Sequence, residues 1–311
     1  MSNYLGIDTS NYTTSAAVFN AESKSIVQKK RLLRVKEGQL GLRQNEAVFQ
    51  HVAQLPEIIS GAIAGSGDFA AIGVSASPRD AIGSYMPCFT AGVSCAAVLS
   101  SALKIPLFRF SHQCGHIAAA AYGAGKLELL QKKFLAFHVS GGTTEAVLVC
   151  PDDEKIIRCE LAAKTLDISA GQAVDRVGNM LGLAFPAGKE LEALAVCAQG
   201  FGKIKTAIKG SDCCFSGLEN QCRDMLENGT EKARVARYCL DYILQTLDVM
   251  CEKLLAKHGD LPVVFAGGVM SNTLIRRAFE KKYRAIFAPA EFSCDNAAGI
   301  SVLTQLKAER S

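Results

Sequence analysis

The stretch Phe137-His-Val-Ser-Gly-Gly-Thr-Thr-Glu-Ala-Val-Leu-Val149 lies near the middle of the chain, and the rest can be interpreted outward from it. Its two ends are short runs of strand-forming residues joined by a Ser/Gly/Thr turn, which is typical of a β-hairpin. Glycine lets backbone N–H groups approach a ligand, and the hydroxyls add further donors. The stretch therefore predicts either an ordinary turn or a turn that binds phosphate.

A second stretch with the same layout begins the chain. Residues 4–19 form an apolar run, a turn rich in Ser, Thr and Asn, and another apolar run. Two strand–turn–strand units, one at the start of each half of the chain, indicate an internal duplication. In the first turn the Asp8 carboxylate could hold a metal ion or a water beside a phosphate, while the Thr9 and Ser10 hydroxyls donate to that phosphate.

The composition is that of a globular protein. The chain has 311 residues, 49% of them hydrophobic and 21% charged, which is enough for two domains. No leader pattern and no apolar run of about eighteen residues is seen, so we expect a cytoplasmic protein without a membrane span. The twelve cysteines are scattered without a Cys-x-x-Cys pair, and we interpret them as reduced core thiols.

The net charge of +4 is too small to indicate nucleic-acid binding by itself. Two basic clusters stand out along the chain: Lys29-Lys30-Arg31 with Arg34 and Lys36, and Arg276-Arg277 with Lys281, Lys282 and Arg284. Such clusters are typical of solvated faces. They become candidates for an RNA surface only if another argument brings in RNA.

Strand and helix patterns alternate around the two hairpins, which favours an α/β fold. The expected elements are a helix over 45–64 broken or bent at Pro56, a strand over 71–76, a helix over 90–103, a strand over 105–110, a helix beginning at Asp167, mostly helical sequence over 191–258, a strand over 261–266, a helix from Thr273, a strand over 285–289 and a final helix opened by Cys294-Asp295-Asn296. We interpret His51, within the first helix, as a structural residue.

Two histidines four residues apart, His112 and His116, follow the strand that ends at Phe110. On a helix this spacing places both imidazoles on one face, where they could share one metal ion. The zinc-protease pattern also needs a glutamate directly after the first histidine, and this chain has Gln113 there. The pair is therefore either a metal site of another kind or two unrelated surface histidines.

A second glycine-rich turn, Gly267-Gly268, lies between a buried strand and a helix. Free N–H groups and the positive end of the helix dipole suit a nucleotide there, and Ser271 or Asn272 would make a good N-cap. Asp295 either caps the final helix or supplies a carboxylate as third ligand to the histidine pair. Two imidazoles and one carboxylate are compatible with Fe(II) or Zn(II).

In their order, these motifs resemble one known family over nearly the whole chain: the tRNA N(6)-threonylcarbamoyladenosine synthases of the bacterial TsaD type, formerly called O-sialoglycoprotein endopeptidases or glycoproteases. The residues that carry the resemblance are Gly6-Ile-Asp-Thr-Ser10, His112-x-x-x-His116, Val139-Ser-Gly-Gly142, Asp167 with Ala170-Gly-Gln-Ala-Val-Asp175, Phe215-Ser-Gly-Leu218, Gly267-Gly-Val with Asn272, and Asp295-Asn-Ala.

The resemblance implies an α/β fold of the actin, sugar-kinase and heat-shock-ATPase type, with two ribonuclease-H-like lobes around a central cleft. We expect an N-terminal lobe over 1–125 that contains the His-x-x-x-His segment. We expect a C-terminal lobe over 126–311 with a helical insertion over 185–260, and a last helix that packs back toward the N-terminal lobe.

The resemblance also implies an activity, which is metal-dependent transfer of the threonylcarbamoyl group from threonylcarbamoyl-AMP to N6 of the adenosine next to the tRNA anticodon. Partner proteins of the TsaB and TsaE types would take part. Carried over by position, one Fe(II) or Zn(II) ion would be held by His112, His116 and Asp295, and Asp8 and Ser10 would be catalytic. The adenylate would contact His138, Val139, Ser140, Gly141, Gly142, Asp175, Gly188 and Asn272.

The chain departs from the family pattern at several of these motifs. Asp8-Thr-Ser-Asn-Tyr-Thr13 stands where the family usually has Glu-Thr-Ser-Cys-Asp-Glu, Thr143 replaces a histidine, and Ile168 replaces an aspartate. A second hypothesis is therefore a catalytically weakened, nucleotide-binding paralogue that acts as a scaffold or regulator. Remote alternatives are a metalloprotease, which Gln113 disfavours, and a small-molecule kinase, which gives no reason for the histidine pair.

Overall fold

The computed structural model describes residues 2–10, 12–35, 42–293 and 297–310. The chain divides into two compact units. The first unit comprises Met1–Lys132, Val149–Cys159 and Glu291–Ser311, and the second comprises Lys133–Leu148 and Glu160–Ala290. Within the described ranges, no helix is long and apolar enough to cross a membrane.

The strands, in chain order, are β1 Asn3–Ser10, β2 Thr13–Asn20, β3 Ser25–Leu32, β4 Phe69–Ser77, β5 Leu107–Ser111, β6 Phe134–Val139, β7 Thr144–Asp152, β8 Ile156–Lys164, β9 Ala207–Lys209, β10 Asp212–Cys214, β11 Val263–Ala266 and β12 Ile286–Phe287. The α-helices are α1 Gln44–Ile63, α2 Phe89–Leu103, α3 His112–Gly123, α4 Ala170–Met180, α5 Gly188–Ala195, α6 Ser216–Glu227, α7 Lys232–His258, α8 Thr273–Tyr283 and α9 Ala298–Ala308. Short 3-10 turns occupy Leu127–Gln131, Gly268–Ser271 and Ala290–Phe292.

Two five-stranded sheets share one topology. In the first the order is β3-β2-β1-β4-β5, where β2 is antiparallel to β1 and β3, and β4 is parallel to β1 and β5. In the second the order is β12-β11-β6-β7-β8, and β11 is parallel to both β6 and β12. Each sheet thus places three consecutive strands beside two that arrive after helices. This repetition supports the internal duplication inferred from the two hairpins.

Close helix packing explains the small residues in the first sheet. All eight residues of β1 are buried. A Cβ on Gly6 would lie 2.5 Å from the Ser301 nitrogen and 2.6 Å from the Ala297 oxygen, so α9 lies directly against the backbone of β1. α9 also approaches α3, because a Cβ on Gly299 would meet the backbone of Gly115.

An aromatic core holds the second sheet to its helices. The Phe265 ring on β11 lies 4.8 Å from Phe137, 4.6 Å from Phe279 and 5.3 Å from Phe287, measured between centroids. The long helix α7 contributes twelve buried residues, among them Tyr242 and Leu247. Burial of such large side chains contributes about 1.5–3 kcal/mol each relative to exposure.

Two expectations about local structure were wrong, and a third was confirmed in the main. The helix expected from Asp167 begins at Ala170, because Ser169 and Gln172 form a capping box there. Residues 191–258, expected to be mostly helical, are helical over most of their length, and the β9–β10 hairpin lies between α5 and α6. Pro56 does not break the first helix, which runs without interruption from Gln44 to Ile63.

The residues Cys294 to Asn296, expected to open the last helix, lie outside the described residues, and α9 is assigned from Ala298.

We predict that Gly6→Ala destabilises the protein by about 1–3 kcal/mol, because the added methyl group would overlap backbone atoms of α9 that cannot rotate away. Chemical denaturation would measure the free energy of unfolding. Gly67→Ala is the matched control, since its Cβ would have only an ordinary contact at 3.8 Å. Equal stability of the two variants would show that α9 does not pack on β1 in this way.

Candidate functional site

The histidine pair lies at the start of α3. Ser111 ends β5 and is also the N-cap of α3, where its hydroxyl accepts a hydrogen bond from the Cys114 N–H at 3.2 Å. The cap places His112 and His116 on adjacent turns of one helix face. Their ring centroids lie 4.3 Å apart, and the rings are inclined by 71°. The predicted pair on one face is thus confirmed.

Asp8, at the end of β1, orients the first histidine. Its side chain is fully buried, and its Oδ2 lies 2.6 Å from the His112 Nδ1. Its Oδ1 accepts a hydrogen bond from the Ser10 N–H at 2.8 Å. An ionised carboxylate only accepts hydrogen bonds, so beside an ionised Asp8 the Nδ1 of His112 carries the proton, and a neutral ring then has its lone pair on Nε2. Asp8 therefore sets both the tautomer and the direction of the imidazole.

This arrangement fits a metal ion. Metal-binding histidines usually donate their other ring N–H to a carboxylate, which raises their basicity. Asp8 and His112 reproduce that relationship, and His116 lies beside them. The third predicted ligand, Asp295, lies outside the described residues. In the part of the chain that the structure describes, no three His, Cys, Asp or Glu side chains form a metal-binding group.

Two further polar side chains lie at this end of the first sheet. Ser10, predicted to be catalytic, is 2% exposed, and its hydroxyl has no hydrogen-bond partner among the described residues. A buried hydroxyl without a partner is unusual in proteins and marks a place where a ligand oxygen could bind. Thr14, one of the first residues of β2, lies 2.8 Å from the Nδ1 of the buried His51. The sequence offered no sign of the His51–Thr14 contact, because 37 residues separate the two.

In the second unit the central hairpin forms a closed four-residue turn. The Ser140 N–H donates to the Thr143 carbonyl at 2.7 Å, and the Thr143 N–H donates to the Ser140 hydroxyl at 3.2 Å. Thr143, where the family has histidine, therefore serves in the turn through its backbone. A Cβ added to Gly141 or Gly142 would meet nothing within 4 Å. The glycine backbone is thus open to a ligand.

The first turn of α4 holds this loop in place. The Ser169 hydroxyl donates to the Gly141 carbonyl at 2.7 Å, and the Gly171 N–H donates to the Ser140 carbonyl at 3.2 Å. A Cβ on Gly171 would lie 2.5 Å from that carbonyl oxygen, so only glycine allows the approach. The first N–H groups of α4 thereby bond to the protein, and within the turn the N–H groups of Gly141 and Gly142 are the ones that could face a phosphate.

The second glycine turn lies at the same edge of the sheet. β6 and β11 are parallel and paired as far as His138 with Ala266, so the residues after both strands emerge side by side. Gly267 has a φ of 102°, and its Cβ would lie 2.3 Å from the Val139 carbonyl oxygen. Ligands of open α/β sheets bind at this carboxyl edge of the strands. The structure thus brings together Val139, Ser140, Gly141, Gly142 and Gly267.

The remaining predicted adenylate contacts have local structural partners. The Asn272 side chain caps α8 by accepting from the N–H groups of Leu274 and Ile275, both at 3.1 Å, as its position before the helix predicted. Asp175 on α4 accepts from the Ala187 N–H at 2.9 Å and so holds the loop that leads to Gly188, the first residue of α5.

Asp167 has a role that the sequence did not predict. Its carboxylate accepts from the Phe215 N–H at 2.7 Å and from the Ser216 hydroxyl at 2.6 Å, and so caps α6 from a distance in sequence. Burial alone would raise the pKa of Asp167, but the hydrogen bonds from Ser216 and Phe215 outweigh it, and the pKa is lowered. The motif Phe215-Ser-Gly-Leu218 is therefore the docking point of this carboxylate.

We predict a loss of stability at mildly acidic pH that depends on His51. Burial lowers the pKa of His51, while the Ser10 backbone and Asp8 oppose this only in part. As the pH is lowered, His51 of the unfolded chain therefore takes up its proton near the usual histidine pKa of about 6.5, at a higher pH than in the folded state. The free energy of unfolding consequently falls as the pH drops below about 6.5.

The free energy of unfolding of wild type and of His51→Gln would be measured from pH 8 down to the lowest pH at which the wild type still folds. The variant should lose stability less steeply below the histidine pKa than wild type. Parallel pH profiles would contradict the burial of a neutral histidine.

Comparison with known proteins identifies the family. A family model described as TsaD, tRNA N6-adenosine threonylcarbamoyltransferase, matches residues 33–302. The tRNA N6-adenosine threonylcarbamoyltransferase of Kosmotoga olearia is 36% identical over 230 residues, which are 70% of this chain and 67% of that protein. The protein of the same name from Nautilia profundicola is 28% identical over 308 residues, which are 96% of this chain and 90% of that protein.

Solved structures show the same fold at low identity. Component A of (R)-2-hydroxyglutaryl-CoA dehydratase from Acidaminococcus fermentans superposes with a TM-score of 0.55 at 17% identity, covering 99% of this chain and 100% of its own. Full-length HypF gives a TM-score of 0.58 at 14% identity, covering 99% of this chain and 55% of its own. The ROK hexokinase of Thermus thermophilus gives 0.50 at 17% identity, covering 99% and 100%.

These likenesses confirm the predicted actin and sugar-kinase type of α/β fold. The ordered motifs, the geometry of Asp8 and the histidine pair, and a family model that spans most of the chain agree. This chain belongs to the TsaD family, the tRNA N6-adenosine threonylcarbamoyltransferases.

Proposed function

We propose that this chain transfers the threonylcarbamoyl group from threonylcarbamoyl-AMP to N6 of the adenosine next to the tRNA anticodon, with one bound Fe(II) or Zn(II) ion. Family membership supports tRNA threonylcarbamoyl transfer in general. The observation that carries the finer proposal is the hydrogen bond from His112 to the buried Asp8, with His116 beside it. A scaffold has no physical need for an imidazole oriented in this way.

The metal half of the proposal rests on the first unit. His112, His116 and Asp295 would hold the ion, and Asp8 would keep His112 in the tautomer that a ligand requires. A bound ion would supply Lewis-acid polarisation of the carbamoyl carbonyl or of substrate oxygens. The Ser10 hydroxyl, which is buried close to Asp8 and has no partner among the described residues, would donate a hydrogen bond to an oxygen of the substrate.

The nucleotide half rests on the second unit. The backbone of Gly141 and Gly142 would hold the adenylate phosphate, because no protein atom would crowd even an added Cβ there. His138, Val139, Ser140, Asp175, Gly188 and Asn272 would complete the contacts. In the reaction the adenosine amine attacks the carbamoyl carbon, a C–N bond forms, the bond to the phosphate oxygen breaks, and AMP leaves as the amine loses a proton. Donors held on the phosphate stabilise the charge that develops on AMP.

The proposal includes partners and a location. We expect proteins of the TsaB and TsaE types to take part in the reaction, in the cytoplasm. The weakened paralogue remains the second candidate, since Tyr12 and Thr143 replace family residues at the two turns. Thr143 contributes its backbone to the turn, so the replacement of histidine leaves the turn itself intact.

We predict that metal binding depends on His116 and on Asp8. His116→Ala should lose the ion, and Asp8→Asn should bind it about 10–100-fold more weakly, because the imidazole loses its orienting carboxylate. Competition titration with Fe(II) and Zn(II) would measure the affinity. His258→Ala, on α7, is the control and should bind like wild type. Wild-type affinity of His116→Ala would place the metal elsewhere.

We predict that Gly142→Val folds normally but binds the adenylate about tenfold or more weakly, a change of about 1.4 kcal/mol. The added side chain meets no protein atom but occupies the space that a phosphate needs. Calorimetry with threonylcarbamoyl-AMP would measure binding, and thermal unfolding would check the fold. Gly217→Val, also in open space, is the matched control.

The decisive assay is threonylcarbamoyl transfer to tRNA by metal-loaded wild type with its partner proteins, together with complementation of a strain that lacks its synthase. Transfer and rescue by wild type, both reduced in Gly142→Val, are the expected results. An inactive, fully metallated wild type that fails to complement would favour the scaffold.

A further inference from the structure

A segment of the second unit, residues 203–209, presents a row of lysines on one side. Exposure alternates strictly along it. Ile204, Thr206 and Ile208 are partly buried, whereas the outward positions are Lys203, Lys205, Ala207 and Lys209. Ala207–Lys209 is strand β9, in which residues two apart lie about 6.6 Å apart on the same side. The alternation of exposure continues through the residues just before the strand, 203–206. Three of the four outward positions therefore carry a positive charge. We call Lys203, Lys205 and Lys209 the lysine row.

The segment is held rigidly against α7. The Ile204 N–H donates to the Gln245 Oε1 at 2.8 Å, and the Gln245 amide donates to the Gly202 carbonyl at 2.9 Å. The Ala207 N–H donates to the Tyr242 hydroxyl at 3.2 Å. Ile204 and Ile208 also pack against the hydrophobic core. A charged row on a fixed backbone loses less conformational entropy on binding than one on a mobile loop.

The side chains of the lysine row are not tied up in ion pairs. Among the described residues, the ammonium groups of Lys203, Lys205 and Lys209 form no hydrogen bond and no ion pair. Asp212 is paired in register with Lys209, and its Oδ1 accepts from the backbone N–H of Lys164 at 2.8 Å, so one carboxylate lies across the hairpin from the last lysine of the row. The exposed Lys253 donates to the Gly210 carbonyl at 2.8 Å, so it adds a fourth positive charge at the end of the row.

The basic clusters that the sequence singled out are partly paired with acidic residues, although Arg277, Lys281 and Arg284 form no ion pair among the described residues. Arg31 forms an ion pair with Glu57, and Arg276 forms one with Glu280 at 2.7 Å. Lys282 lies 2.7 Å from both Asp248 and Glu252. Acidic partners reduce the field that these clusters present to a polyanion. The lysine row thus combines rigidity with unbalanced charge, and it was hidden in the sequence because apolar residues interrupt it.

We propose that the lysine row binds the phosphate backbone of the RNA substrate. The inference rests on the proposed function, which supplies a tRNA. Lysines on an extended segment offer point charges to successive phosphates and have no means of reading bases, so they would position the RNA without selecting its sequence. Binding would release counterions and would weaken as salt rises.

The test is tRNA binding by the full-length protein, followed by fluorescence anisotropy over a range of salt concentrations. The triple variant Lys203→Gln, Lys205→Gln, Lys209→Gln should bind tRNA at least tenfold more weakly than wild type at low salt. The slope of log affinity against log salt concentration should be smaller in magnitude by about two to three, because three phosphate contacts are lost. Thermal unfolding should show an unchanged Tm, since the three side chains are exposed and unpaired.

A matched triple variant, Arg276→Gln, Arg277→Gln, Lys281→Gln, removes three charges from the α8 cluster and should bind tRNA as wild type does. The inference is overturned if the lysine-row variant keeps wild-type affinity and salt slope, if the α8 variant alone loses them, or if wild type does not bind tRNA.

The transfer assay answers the separate question of the proposed function. The lysine-row variant should show a higher KM for tRNA with unchanged kcat and unchanged adenylate affinity. A wild type that binds tRNA through the row but transfers nothing would sustain the inference and reject the proposed function.

Discussion

The position of α3 relative to β1 in the first unit depends on the hydrogen bonds that the buried carboxylate of Asp8 accepts. Asp8 has no exposed surface, and a carboxylate removed from water is tolerated only when hydrogen bonds and a partner compensate it. Its two oxygens accept from the Ser10 backbone and from His112, so the end of β1 and the first residue of α3 must lie together. The same two bonds fix the end of β1 and orient the imidazole. Fold and candidate chemistry are therefore not independent here, because one side chain serves both.

The second unit reaches a comparable arrangement through the backbone. Gly171 and Gly267 lie where any side chain would overlap main-chain atoms of the central hairpin. Because both residues are glycines, the N-terminus of α4 contacts Ser140 and the residue after β11 contacts Val139. The hairpin turn is thereby held from two sides, and Gly141 and Gly142 keep their outer faces open. Rigid support of an open turn is the condition for holding an anion without reorganisation.

Local patterns predicted an element well where residues within one short segment determine its structure. The two hairpins, the histidine pair on one helix face and the Asn272 cap all follow from spacing over a few residues. Prediction failed where a partner distant in sequence decides. Asp167 resembles an N-cap in sequence, but its carboxylate accepts hydrogen bonds from the backbone N–H groups of Phe215 and Ser216. After α5 the chain is not helical at Ile204 and Ala207, whose backbone N–H groups donate to side chains of α7.

The sequence by itself determined the order of strands and helices, the duplicated hairpins and the types of residue available for chemistry, because these depend on periodicity and on local backbone preferences. Only the tertiary structure decided which of them meet. Asp8 and His112 are 104 residues apart, and their contact follows from the pairing of β1, β4 and β5 in one sheet. The lysine row likewise faces outward because Ile204 and Ile208 pack on the core. Burial and long-range hydrogen bonding select these contacts, and neither can be predicted from a short stretch of sequence.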